Sequence, residues 1–411
     1  MKKLLALFLL AALSTGFAQS PKVQTGIEVL RQRGFDILKG KRVGLITNPT
    51  AVDASLRSTV DILAGAPGVK LVALFGPEHG VRGEFAAGDI VGTTTDPKTG
   101  VPAYSLYGRN RKPTADMLRD IDLLIYDIQD IGCRSYTYIS TMGLAMEAAA
   151  EAGIPFVVLD RPNPLGGLRV EGNVAEKGFF SFIGQFPIPY VYGLTCGELA
   201  KLLNGEKMLS GGVQCSLVVV PMKGWRRTMT FQQTGLPWVP TSPHVPMETS
   251  PAFYVATGVL GELGVISEGV GYTIPFRVLA APWINPYAMA DAMNALRLPG
   301  TLFRPIIFKP FYGRMKDSTL YGVQIHLTDE KAAELMPLQF RFLEVHNRLY
   351  PDRNPFTLAG SSRLGAFDRA VGTDRIRTLF SNSMKYSDIQ EYLSKDAKDF
   401  REMSKKYYLY R

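Results

Sequence analysis

Carboxylates gather in this chain where apolar runs stop. "LFGPEHGVRGE" (74–84) closes the run Val69 to Phe75 with Gly76-Pro77 and then sets Glu78, His79, Arg82 and Glu84 close together. "DIQDIGCRSYTYI" (127–139) carries Asp127, Asp130, Arg134, Tyr136 and Tyr138, "DRPNP" (160–164) carries Asp160 and Asn163, and "VEG" (170–172) carries Glu171. Two carboxyl groups in one cleft suit glycoside hydrolysis. One, kept protonated, donates to the leaving oxygen, and the other attacks or activates water. Burial and like charge can hold their pKa values apart. His79 stands where it can tune Glu78 or bond to backbone. Arg134 suits a carboxylate or phosphate fork, or an ion pair with Asp127 or Asp130. Tyr138 suits a sugar face, or packing at a helix start.

The elements that must position these groups are legible in the hydrophobic pattern. "RVGLITN" (42–48), "VKLVALFG" (69–76), "IDLLIYDIQ" (121–129) and "IPFVVLD" (154–160) read as buried strands. "SLRSTVDILAG" (55–65) and "YISTMGLAMEAAAEAG" (138–153) read as helices between them. Continuous apolar strands alternating with helices predict a parallel sheet covered on both faces. Ligands in such sheets sit beyond the carboxyl ends of the strands, where the acids lie. "LTCGELAKLLNG" (194–205) predicts a helix capped by Thr195, and "CSLVVVPM" (215–222) a strand. The proline-rich segment 235–251 predicts a crossing between domains. Strands at 301–310 and 320–328 and helices near 330–350 and 386–407 follow. The expected architecture is α/β: a Rossmann-like parallel-sheet domain over 22–240 and a smaller C-terminal α/β domain over 241–411 that closes the cleft.

Residues 1–18, "MKKLLALFLLAALSTGFA", have the charged start, short apolar run and small residues of a secretory signal peptide cleaved near Ala18. The expectation is an exported protein, periplasmic or extracellular, with no membrane span in the mature chain. Formal net charge is +9, and +7 once Lys2 and Lys3 leave with the signal. The basic residues are scattered, without a stripe or interleaved aromatics, which argues against nucleic acid. Three widely spaced cysteines make neither a disulfide framework nor a zinc pattern. Four histidines, at 79, 244, 326 and 346, offer no helical metal pair. There is no P-loop, no nucleophile elbow, and no dinucleotide fingerprint, since the glycines at 76, 80 and 83 are wrongly spaced. No cofactor or metal is implied.

"GKRVGLITNPT", "LFGPEHGVRGE", "YDIQDIGCRSYTYISTM" and "VVLDRPNPLGG" followed by "VEGN" occur in that order, and together they resemble the bacterial exo-β-N-acetylmuramidase family. The resemblance is densest over 25–205. It implies a Rossmann-like domain and a smaller C-terminal domain with the active site between them, releasing N-acetylmuramic acid from the non-reducing end of peptidoglycan fragments. Glu78 becomes the catalytic carboxyl and proton donor, with Asp130 or Glu171 as the second carboxylate. His79, Arg82, Asp127, Arg134, Tyr138, Asp160, Asn163 and Glu268 are the expected substrate contacts. By charge, the lactyl carboxylate of the sugar would pair with Arg134 or Arg82. The chain departs from the family pattern at "SEGVGYT" (267–273), where Val270 and Tyr272 replace an arginine and a threonine, and at His244 in "SPHVP", where asparagine is usual. The alternative reading is a non-catalytic muropeptide- or sugar-binding protein on the same fold.

Overall fold

The computed structural model describes residues 23–83 and 92–411; the signal-peptide reading and Glu84 fall outside them. Seven strands build the first sheet: β1 Arg42–Thr47, β2 Lys70–Gly76, β3 Thr94–Thr95, β4 Pro102–Ser105, β5 Leu123–Asp127, β6 Phe156–Leu159 and β7 Leu217–Val220. Their order is β3-β4-β2-β1-β5-β6-β7. Every pairing is parallel except β3 with β4. Such strands are buried on both faces, which is why β5 and β6 are apolar nearly throughout.

β1 pairs with β2 on one side and β5 on the other, and strand order reverses there. Ile46 lies opposite Phe75, and Thr47 opposite Asp127. This register brings the segments after β1, β2 and β5 to one rim, at the switch point where open parallel sheets bind ligands. The helix Tyr138–Ala152 ends on Gly153 in the left-handed conformation. Thr195 and Glu198 form a capping box on the helix Cys196–Gly205.

The second sheet is antiparallel and small: β8 Val278–Ala281, β9 Thr301–Phe308 and β10 Leu320–Leu327, in the order β8-β10-β9. The helices Ser250–Gly261 and Leu335–Leu349 pack together beside it. One apolar cluster joins both halves, running from Tyr126, Met142 and Phe186 to Phe253, Leu260, Phe340 and Phe342. The other face of the large sheet holds Ile27, Leu30, Val43, Leu45, Val60 and Leu63.

The expected long helix over 386–407 is broken into Gln390–Ser394 and Ala397–Ser404. The chain end then returns to the first sheet. Leu409 N donates to Glu198 (2.8 Å), and the Tyr410 hydroxyl donates to Asp160 (2.6 Å). Residues 235–249 hold no regular element. Among the described residues, no helix is long and apolar enough to cross a membrane.

Candidate active site

Beyond β2 the chain turns at once. Gly80 N donates to the Pro77 carbonyl (3.0 Å), and His79 and Gly80 both take positive φ, 75° and 79°. A Cβ on Gly76 would meet the Gly80 and Val81 backbone at 2.9–3.1 Å, so only glycine permits this close return. His79 has no such exemption. Residues held in the left-handed region collect at functional sites. The turn carries Glu78 and His79 at the rim, both half-buried.

Three segments come within electrostatic reach of Glu78. From the loop after β4, Tyr107 lies within electrostatic reach of Glu78. Burial, and then the charge of Glu78, push the Tyr107 pKa up. Tyr138, at the start of its helix, lies within electrostatic reach of Glu78. His244 lies within reach of both His79 and Glu78; burial holds its pKa below the usual histidine value. Tyr312 stacks on His244, centroids 5.9 Å apart and planes 16° apart.

At the end of β1, Asn48 Oδ1 accepts from Thr50 N (3.0 Å) and Thr50 Oγ1 (2.6 Å). Its buried Nδ2 lies near the Tyr138 hydroxyl but outside hydrogen-bonding geometry, and it has no partner among the described residues. Leaving such a donor unpaired costs about 1–3 kcal/mol, so a ligand acceptor gains by reaching it. The Tyr136 and Tyr138 rings cross at 80°, and their hydroxyls donate to Thr241 Oγ1 (2.7 Å) and the Thr241 carbonyl (2.5 Å). The irregular segment 235–249 therefore lies over the rim as one wall of the site.

The remaining acids expected at the rim separate into other tasks. Asp127 is buried and holds Arg161 (Nη2–Oδ2 3.1 Å) and Thr59 Oγ1 (2.6 Å). Asp160 is buried too. It accepts from Thr195 Oγ1 (2.7 Å) and Gly197 N (2.8 Å) at the start of the helix Cys196–Gly205, and from Tyr410. Burial pushes its pKa up to about 6. Asn163 is spent on the Leu194 carbonyl and Leu165 N, both at 2.9 Å.

Glu171 pairs with Arg169 and accepts from Met336 N (2.8 Å) in the first turn of the helix Leu335–Leu349. It lines a separate cleft of about 680 Å³ with Lys331, Lys398 and Arg401. Although this cleft is large, it contains none of the groups around Glu78. Asp130 accepts from Gly132 N (2.7 Å) and the Tyr192 hydroxyl, but its buried Oδ1 has no partner among the described residues. Burial pushes the Asp130 pKa up to about 6.

Neither arginine expected to bind an anion is placed to do so. Arg134 is fully buried and donates to the Asn173 and Ile188 carbonyls (2.8 and 2.6 Å) and to Ala370 and Val371 (3.3 and 2.5 Å). It is a strut between the first sheet's loops and the C-terminal helices. Arg82 donates to Asp96 (2.7 Å) and Asp61 (3.0 Å). These ties follow from burial: a polar group cut off from water must find a protein partner. Glu268, half-buried, lies in the field of Arg314 and Glu262, and burial pushes its pKa up to about 7. Its loop is held by the segment bearing Tyr312, since Phe311 N donates to the Gly271 carbonyl (2.9 Å).

Tyr107 and Asn48 were not among the sequence candidates. Asn48 had a signal in the "TNPT" that follows a buried strand. Tyr107 had a weak one, because β4 is short and begins with Pro102. The three cysteines are buried and unpaired. Among the described residues, no group of three His, Cys, Asp or Glu could hold a metal ion.

Comparison with known proteins agrees with this architecture. Residues 43–249 match the profile of the exo-β-N-acetylmuramidase NamZ N-terminal domain, and residues 252–410 match that of its C-terminal domain. The peptidoglycan β-N-acetylmuramidase NamZ of Bacillus subtilis (strain 168) is 46% identical over 393 residues, which cover 96% of this chain and 92% of that protein. Two crystal structures of DUF1343 family proteins from Bacteroides fragilis NCTC 9343 superpose closely. One has TM-score 0.91 at 56% identity and the other 0.77 at 30%, each covering 95% of this chain and 99% of its own. The chain belongs to the exo-β-N-acetylmuramidase family.

Proposed function

We propose that this chain is an exo-acting glycoside hydrolase that releases N-acetylmuramic acid from the non-reducing end of peptidoglycan fragments, with Glu78 as the carboxyl that passes a proton to the glycosidic oxygen. The observation that carries the reading is the turn after β2. It holds a half-buried glutamate at the switch point of a parallel sheet, within electrostatic reach of Tyr107, His244 and Tyr138. A general acid or base needs such positioning more than it needs a rare residue type. The aromatic groups around it offer sugar-stacking faces.

Asp130 is the better second carboxylate. One of its oxygens is uncommitted, whereas Glu171 is tied to Arg169 and a helix end. Asp127 and Asp160 hold the framework under the site, and no step is assigned to them. The leader-like residues 1–18 support export as part of the same proposal, and the mature chain would then begin near Gln19. N-terminal sequencing of the protein recovered outside the cytoplasm tests that point.

The test of function is turnover of a chromogenic β-N-acetylmuramide, with the matching N-acetylglucosaminide as control. Wild type should cleave the muramide alone, and Glu78→Gln should lose roughly 10²- to 10⁴-fold in kcat. A folded wild type that binds muramyl sugar without cleaving it would overturn the hydrolase reading in favour of a receptor.

A further inference from the structure

Glu171 lies in a cleft that the chemistry around Glu78 does not use. The cleft, of about 680 Å³, runs between the two halves of the chain, with residues 164–172 from the first and residues 330–337 and 386–401 from the second. Three ties hold the halves together there. Arg169 donates to the Ala333 carbonyl (2.7 Å), Glu171 accepts from Met336 N (2.8 Å), and Arg401 donates to the Val170 carbonyl (3.1 Å). The cavity is therefore preformed, and its size falls in the range of small-ligand sites, roughly 300–1,000 Å³.

The helices Gln390–Ser394 and Ala397–Ser404 turn one face to it. Gln390, Leu393, Ser394, Ala397, Lys398 and Arg401 recur at helical spacing and all line the cleft. The acids of the same stretch, Glu391, Asp396, Asp399 and Glu402, do not. Among the other cations of the lining, Arg169 is paired with Glu171 and Arg227 with Glu198. Lys331, Lys398 and Arg401 are exposed and form no ion pair among the described residues. Glu330 and Glu334 add two carboxylates that are likewise outside any ion pair.

Sugar sites use aromatic faces, but Tyr386 is the one aromatic residue among the described residues of this lining, and its ring lies under the Arg341 guanidinium, 3.9 Å away. The apolar lining is aliphatic instead, with Leu168 61% exposed beside Met229. Aliphatic surface, uncommitted cations and two carboxylates together match a short peptide with small side chains, several carboxylates and a free ammonium.

We propose that this cleft is a binding site for a short acidic peptide, whose carboxylates meet Lys398 and Arg401 and whose apolar side chains lie on Leu168 and Met229. Peptidoglycan joins its muramyl sugars to peptides of this kind, so the cleft would hold a wall fragment by a part on which Glu78 does not act. That source rests on the hydrolase reading, whereas the binding itself does not.

Calorimetry with the wall tripeptide L-alanyl-γ-D-glutamyl-meso-diaminopimelic acid, beside the same peptide with every carboxyl amidated, tests this. Wild type should bind the acid roughly 10-fold more tightly than the amide, as two or three partly exposed charge pairs imply. Salt at about 0.5 M should remove most of that difference. Lys398→Glu should lose roughly 10-fold in affinity for the acid and leave the amide unchanged. Leu168→Ser should weaken acid and amide alike, because the apolar contact is common to both. Neither substitution should move the denaturation midpoint or the turnover of a peptide-free chromogenic muramide.

Absence of binding in wild type, equal affinity for acid and amide, or an undiminished preference in Lys398→Glu would overturn the proposal. Loss of peptide-free turnover in a folded Lys398→Glu would overturn it too, since the cleft would then belong to the catalytic site. Peptide binding by a wild type that cleaves no muramide would overturn the hydrolase reading alone.

Discussion

The turn after β2 and the loops after β5 and β6 look alike in sequence, yet they do opposite things. Each follows an apolar strand with a run of acids and arginines. After β5 and β6, Asp127, Asp160, Arg161 and Arg134 are sealed from water, and nearly every polar atom of theirs has a protein partner. After β2, Glu78 and His79 remain half-buried on a turn that forces a histidine to positive φ. Full burial with full satisfaction marks a framework. Partial burial on a strained backbone marks a place where the fold accepts a penalty for something other than stability. The distinction also explains why a net charge of +9 leaves few candidate cations at the site, since most of the arginines named here have partners inside the protein.

Substitutions that separate activity from stability test this contrast. The largest effect on rate should come from Glu78→Gln, with the loss given above and the midpoint of denaturation almost unmoved. A large shift in that midpoint would place Glu78 in the framework instead. The largest effect on stability should come from Asp127→Asn, which leaves Arg161 buried against a neutral partner. Removing one side of a buried pair costs about 3–5 kcal/mol, measurable by urea denaturation. A neutral result would mean that the strand ends tolerate unpaired charge and the contrast fails.

Asp130 lies between the two classes, and pH separates its roles. Its folded pKa of about 6 stands above the ordinary aspartate value, so the folded state holds the proton more tightly than the unfolded chain. Its contribution to stability is complete below about pH 4 and is lost as pH rises through about 6. The stability difference between wild type and Asp130→Asn should therefore change across that window by roughly 1–3 kcal/mol. A difference that is flat with pH would mean that Asp130 ionises in the fold as it does in water. The smallest effect belongs to Glu171→Ala, which removes an acceptor from the helix Leu335–Leu349 and should lower stability by about 1 kcal/mol while turnover persists. Abolished turnover would restore Glu171 to the reacting pair.

Much of the fold was readable because its signals are local. The runs at 42–48, 69–76, 121–129, 154–160 and 215–222 contain β1, β2, β5, β6 and β7, since strands of a parallel sheet under covering helices are apolar nearly throughout, the partly exposed edge strand β7 included. Thr195 and Glu198 announced their capping box three residues apart. β4 and β8 were missed: each has four residues, too few to show a period, and β4 opens on a proline. The charged stretch 386–407 carries helical spacing, but it divides at Lys395 where it folds back against the first half.

By itself the sequence determined the parallel sheet, the rim on which the acids gather and the family resemblance, because periodicity, turn chemistry and motif order are properties of neighbours along the chain. Only the tertiary structure decided which acid stays half-buried at the rim and which arginine is spent on carbonyls. Those outcomes depend on partners far away in sequence. Arg134 meets Ala370 and Val371, Asp160 meets Tyr410, Glu171 meets Met336, and Glu78 is faced by His244. A strand end says where a side chain begins, whereas burial and long-range hydrogen bonding decide whether it remains free to react.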